Sequence, residues 1–134
     1  MDIFCLEDFK VEFEKLKGKK SYSSIEDDII KYFFGKNAQE LSSGVRLNNS
    51  SETPYIKKRI NGSGGFRFYY LLIIKDEKLY LMFVHPKTGA LGSEYITDES
   101  KAYLYKKVLD SIISNDLYQL TLNEENKKID FKKV

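Results

Sequence analysis

The sequence predicts an α+β domain: two N-terminal helices packed on a small antiparallel β-sheet meander, then a third helix and a C-terminal extension. Three observations predict it. Apolar residues recur at helical spacing between positions 9 and 33. Three runs of β-forming residues then follow one another between positions 55 and 85, separated by turn-forming stretches. Helical spacing returns after residue 97. With 134 residues, 42% of them hydrophobic and 14% aromatic, the chain can bury the core of one domain, residues 1–134, without covalent staples.

Taken in order, Ile3–Leu6 reads as a short first strand. Phe9, Phe13 and Leu16 then form one helical stripe, while Glu7, Asp8, Glu12 and Lys15 face water. Gly18-Lys19-Lys20 breaks that helix. Ser23-Ser24-Ile25-Glu26 reads as a capping box, and Ile25, Ile29 and Phe33 continue as the stripe of a second helix that Gly35 can end. Residues 36–54 are polar, rich in Ser and Asn, and read as a loop longer than most. Tyr55–Ile60, Phe66–Ile74 and Lys78–His85 read as the meander, turned by Gly62-Ser63-Gly64-Gly65, where glycines supply positive φ, and by Lys75-Asp76-Glu77. Phe66–Ile74 is apolar at nearly every position, the mark of a central strand covered on both faces. The third helix is expected from Thr97 or Asp98, with Leu104, Val108 and Ile112 inside and Asn115 as its C-cap. The core spans about residues 3–113; residues 114–134 read as an extension able to form a hairpin.

Composition narrows the function classes. No stretch reaches the roughly 20 apolar residues that span a bilayer, and MDIFCLEDF lacks a basic region followed by an apolar one. One cysteine, Cys5, rules out an internal disulfide framework and reads as a small buried hydrophobe. These features predict a cytoplasmic chain without membrane partners. One histidine and one cysteine offer no cluster of soft metal ligands, so neither a metal nor another cofactor is expected.

Charge is concentrated rather than large. The net charge is +2, but residues 55–89 carry 7 basic and 2 acidic side chains, whereas residues 1–54 carry 8 and 10 and residues 90–134 carry 7 and 8. A basic middle between mildly acidic flanks points to a local anion site. Its parts are Lys57, Lys58 and Arg59 on one strand, and Arg67 inside the aromatic run FRFYY. Alternation puts Arg67 and Tyr69 on one face of their strand, Lys57 and Arg59 on one face of theirs, and Lys58 opposite. An antiparallel meander brings the end of the third strand, His85 and Lys87, toward Arg67. Guanidinium, phenol and imidazole are the parts needed for metal-independent RNA cleavage: a cation stabilises the pentacoordinate phosphate while Lys, Tyr or His moves protons.

The segment KKRINGSGGFRFYYLLIIKDEKLYLMFVHPKTG resembles the RelE/HigB-like toxins of type II toxin–antitoxin systems. The likeness lies in a basic strand, a Ser-Gly-Gly-aromatic-Arg turn, an aromatic strand, then Leu-Tyr-Leu and Pro-Lys. KLKGKKSYSSIEDDI and Gly44-Val45-Arg46-Leu47 also resemble family stretches, and the likeness covers roughly residues 3–113. It implies a messenger-RNA endoribonuclease, acting on the ribosome and neutralised by a cognate antitoxin protein. It also implies phosphate-handling roles for Lys57, Lys58, Arg59 and Arg67, joined by His85 and Lys87, with Tyr69 beside them.

Plainer readings stand beside these. Lys57, Lys58 and Arg59 can guard a sheet edge against aggregation. Tyr69 can be core, and His85 can be structural. Lys106-Lys107 and Lys132-Lys133 read as solvated faces or auxiliary contacts to an RNA backbone. The rival to an enzyme is a catalytically inactive relative that only binds RNA or protein.

Overall fold

The elements run β1 (Asp2–Cys5), α1 (Glu7–Lys17), α2 (Ile25–Phe33), α3 (Ala38–Leu41), β2 (Val45–Arg46), β3 (Tyr55–Ile60), β4 (Phe66–Ile73), β5 (Lys78–Pro86), α4 (Asp98–Ser114), β6 (Tyr118–Asn123) and β7 (Lys128–Lys133). The structure is a computed structural model that describes residues 1–60, 65–87 and 97–134. The turn residues Gly62, Ser63 and Gly64, and the Gly89–Ile96 segment, lie outside the described residues. The chain is α+β. Among the described residues the strands form one seven-stranded sheet in the order β2-β3-β4-β5-β1-β6-β7.

The meander is present as β3, β4 and β5, antiparallel at both junctions. The expected small, antiparallel sheet is corrected in two respects. β1 enters beside β5 and runs parallel to it, pairing Ile3 with Leu79 and Cys5 with Leu81, so the sheet is mixed. The C-terminal residues form the hairpin β6–β7, and β6 pairs with the other side of β1, with Ile3 opposite Leu120. Those residues continue the main sheet rather than trail from it.

Periodicity decides which side of the sheet each helix covers. Phe9, Phe13 and Leu16 of α1 and Ile25, Ile29 and Phe33 of α2 share one core with Phe66, Phe68, Tyr70 and Leu72, alternate residues of β4. The Phe33 ring meets Phe68 at 5.1 Å and Tyr70 at 5.3 Å, both edge-on. On the other face Leu104 and Val108 of α4 pack with Tyr55, Tyr69, Leu71, Tyr80 and Met82. Helices on both faces explain why β4 is apolar almost throughout. A bulge between Tyr69 and Tyr70 shifts the β4–β5 register, leaving the Tyr69–Phe83 pair on one side of it and Tyr70–Leu81 on the other.

Three local expectations change. Ser24 precedes α2 without a capping bond. The Ser23 hydroxyl donates to the Lys20 carbonyl, and the Ser24 hydroxyl donates to Asp28. Glu26 has a stronger use: buried at 5% exposure, it accepts from the Ile129 amide at 2.9 Å, with Lys17 and Lys128 each at 3.4 Å. A capping box occurs instead at Asn37–Glu40, where α3 forms inside the expected loop. That loop also contains β2. There Gly44 has φ +127, and a Cβ would stand 2.8 Å from Ile56 Cγ2 and 2.9 Å from the Lys57 carbonyl oxygen. The third helix of the sequence is thus the fourth of the fold. It is capped by Thr97, whose hydroxyl accepts from the Ser100 amide at 3.0 Å, and by left-handed Asn115.

Candidate functional site

The register of the meander aligns three of the expected residues. Arg59 on β3 pairs with Arg67 on β4, and Arg67 pairs with His85 on β5. Directly opposed residues of antiparallel strands share a face, so Arg59, Arg67 and His85 form one transverse row. Lys57, Tyr69 and Phe83 form the next row on the same face. Beyond the first row the Lys87 amide donates to the Gly65 carbonyl at 2.9 Å, which prolongs the strand pairing to Lys87.

Lys58 is separated from this group. It pairs with Phe68 on the face covered by α1 and α2, and its ammonium donates to the Ser43 hydroxyl at 2.9 Å. Edge protection also changes form, because β2 covers β3 only at Ile56 and Lys57. Lys58, Arg59 and Ile60 lie beyond that short edge strand.

Burial grades across the site. Arg67 and His85 are 3% and 5% exposed and Tyr69 is within the core, whereas Lys57 and Lys87 are half-buried and Arg59 is exposed. The Tyr69 ring stacks on the His85 ring at 5.8 Å and 24°, and Phe83 approaches the same ring at 6.0 Å. The core reading of Tyr69 therefore holds, and its ring lies against His85. A cavity of 210 Å³ lined by Asp8, Phe83, Ser100, Tyr103 and Leu104 adjoins the second row.

The His85 ring can be read for its proton. Nδ1 lies 3.1 Å from the Pro86 carbonyl oxygen, an atom that only accepts, so Nδ1 carries the hydrogen. In the neutral ring Nε2 then holds the free lone pair, and it finds no hydrogen-bond partner among the described residues. Burial lowers the His85 pKa below its ordinary 6.5, and the charges of Arg67 and Lys57 lower it further against the opposing bond to Pro86. Burial likewise lowers the Lys57 pKa, followed by the charges of Arg59, Lys101 and Arg67.

Lys101 is the functional candidate that sequence reasoning missed. It sits in the first turns of α4, in a stretch, DESKAY, that reads as any solvated helix start. Only the docking of α4 over the β3–β4 face brings its charge toward Lys57. Among the described residues no group of three or more His, Cys, Asp or Glu side chains is placed to hold a metal ion, and no helix is long and apolar enough to cross a membrane. No protein-family model, curated protein or solved structure matches the chain.

Proposed function

We propose that the protein is a metal-independent endoribonuclease of the RelE/HigB-like kind, built on the Arg59–Arg67–His85 row. The observation that carries this reading is His85: a neutral, buried imidazole with its basic Nε2 uncommitted, set in register with a guanidinium. In the proposed reaction Nε2 takes the proton of an RNA 2′-hydroxyl and that oxygen attacks the adjacent phosphorus. The bond from phosphorus to the 5′ oxygen breaks, giving a 2′,3′-cyclic phosphate and a 5′-hydroxyl. Arg67 and Arg59 offset the charge of the pentacoordinate phosphate, and Lys57 guides the chain. Lys87 returns a proton to the leaving oxygen, while Tyr69 holds the imidazole plane. The resemblance further implies messenger RNA on the ribosome as substrate and a cognate antitoxin protein as inhibitor.

Burial of Arg67 and His85 favours a second reading, a binding module whose rim of Lys57, Arg59 and Lys87 holds RNA while the inner pair is structural. Incubating RNA with the wild type and with Arg67→Ala, in the presence of a chelator, separates the two. The enzyme reading expects cleavage with cyclic-phosphate ends that Arg67→Ala abolishes, and growth arrest on expression in bacteria. Intact RNA bound tightly by a folded wild type would establish the binder instead.

A further inference from the structure

A groove of 540 Å³ lies between the first turns of α4 and the β2–β3 edge of the sheet, outside the row just described. Its walls carry Arg46, Asn48, Tyr55, Lys101 and Tyr105, with Asp98 at the rim. Asn48 is occupied, since its side chain accepts from the Tyr55 amide and donates to the Thr53 carbonyl. Lys101 reaches Asp98 at 3.6 Å, but Asp98 is fully solvated and screens that charge weakly. Arg46 is exposed.

The two tyrosines form a platform. Their rings stack at 5.7 Å with an interplanar angle of 8°, and the Tyr55 hydroxyl donates to the Lys101 carbonyl at 3.1 Å. Tyr55 is in the core, so it fixes the plane of Tyr105, which remains partly exposed to the groove. A rigid aromatic plane in a groove that two cations also line suits a flat ring attached to a phosphate, because base stacking needs no particular base and the cations take the backbone.

The groove is also connected to the cation row. Tyr55, Lys57 and Arg59 are alternate residues on one face of β3, so the platform and Arg59 are about 13 Å apart at roughly 3.3 Å per residue. A few nucleotides cover that distance. We infer that this groove is a second subsite for single-stranded RNA, stacking a flanking base on Tyr105 and holding its phosphate between Arg46 and Lys101, with the strand continuing along Lys57 and Arg59. The inference rests on RNA as the ligand of the neighbouring row.

The test is binding of labelled oligouridylate by fluorescence anisotropy, using one oligomer long enough to span both places and one dinucleotide. Tyr105→Ala is expected to weaken the long oligomer about tenfold, in the range that loss of one stacked base produces. The dinucleotide should be affected much less, and Tyr105→Phe should restore the long oligomer to wild-type affinity. Arg59→Ala, by contrast, should weaken both ligands. Equal affinity of wild type and Tyr105→Ala for the long oligomer, with Arg59→Ala still impaired, overturns the groove while leaving the proposed function standing. A wild type that binds neither ligand overturns both. Thermal unfolding of Tyr105→Ala, whose position is partly exposed, reports whether the Tyr55 packing survives; if it does not, Lys101→Gln and Arg46→Gln must show the same dependence on length.

Discussion

His85 stands opposite Arg67 across β4 and β5 while its ring stacks on Tyr69 at 5.8 Å. The imidazole is thus held on one side by an aromatic plane and placed beside a fixed positive charge. Its Nδ1–H is committed to the Pro86 carbonyl, and its buried Nε2 has no hydrogen-bond partner among the described residues. If Nε2 is the base, His85→Gln should lower RNA cleavage by about 10²- to 10⁴-fold, the usual span for general-base loss. Single-turnover cleavage, with far-ultraviolet circular dichroism to verify folding, is the measurement.

The pH dependence follows from the same ring. Only the neutral imidazole accepts a proton, and burial together with Arg67 and Lys57 lowers its pKa below 6.5. Cleavage should therefore rise with pH, pass its midpoint below 6.5, and be level at neutrality. Stability moves in the same direction: the unfolded chain binds the proton first as pH falls, so His85 costs stability from about 6.5 downward to its folded pKa. A rate profile with its midpoint above 6.5 would contradict the assignment.

Side of the sheet should separate the lysines. Arg59→Ala and Lys57→Ala are each expected to reduce the slope of log affinity against log salt by about 0.7, one phosphate contact on a single strand. Lys58→Ala should leave the slope unaltered, because its ammonium is bonded to Ser43 on the opposite face. Titrations at several salt concentrations check this directly.

Glu26 fastens α2 to the C-terminal hairpin through the Ile129 amide. Burial opposes its ionisation, but the amide, Lys17 and Lys128 outweigh that, and its pKa is lowered. Its contribution is present above the unfolded carboxyl pKa, near 4.5, and is lost as pH falls through the lower folded value. Glu26→Ala should cost about 1–3 kcal/mol at neutral pH, chiefly from the stranded amide, since both lysines are largely solvated. Urea denaturation of the variant should also show a shallower loss of stability as pH falls from about 4.5 through the lower folded value.

Gly44→Ala should destabilise by about 1–3 kcal/mol, because alanine resists φ +127 and its Cβ would press on the β3 backbone. The damage should be local. Hydrogen exchange should quicken at the Leu47 amide, which donates to the Tyr55 carbonyl at 2.7 Å, and less in β4.

Much of this fold is written in local patterns. The stripes Phe9-Phe13-Leu16 and Ile25-Ile29-Phe33, the apolar run of β4 and the αL residue Asn115 follow from periodicity and backbone preference, which act over a few residues. Alternation likewise separates Lys58 from Lys57 and Arg59, and an antiparallel meander brings Arg67 and His85 together. Tertiary structure decided what no neighbour in sequence specifies. The parallel docking of β1 beside β5 and the capture of β6 by β1 depend on exposed strand edges finding each other. Glu26 left its expected cap because a hairpin about a hundred residues away presented an unpaired amide and Lys128, with Lys17 of α1 adding a second cation. Lys101 and Tyr105 acquired their setting only when α4 packed over β3, since helix propensity carries no record of which sheet face a helix will cover.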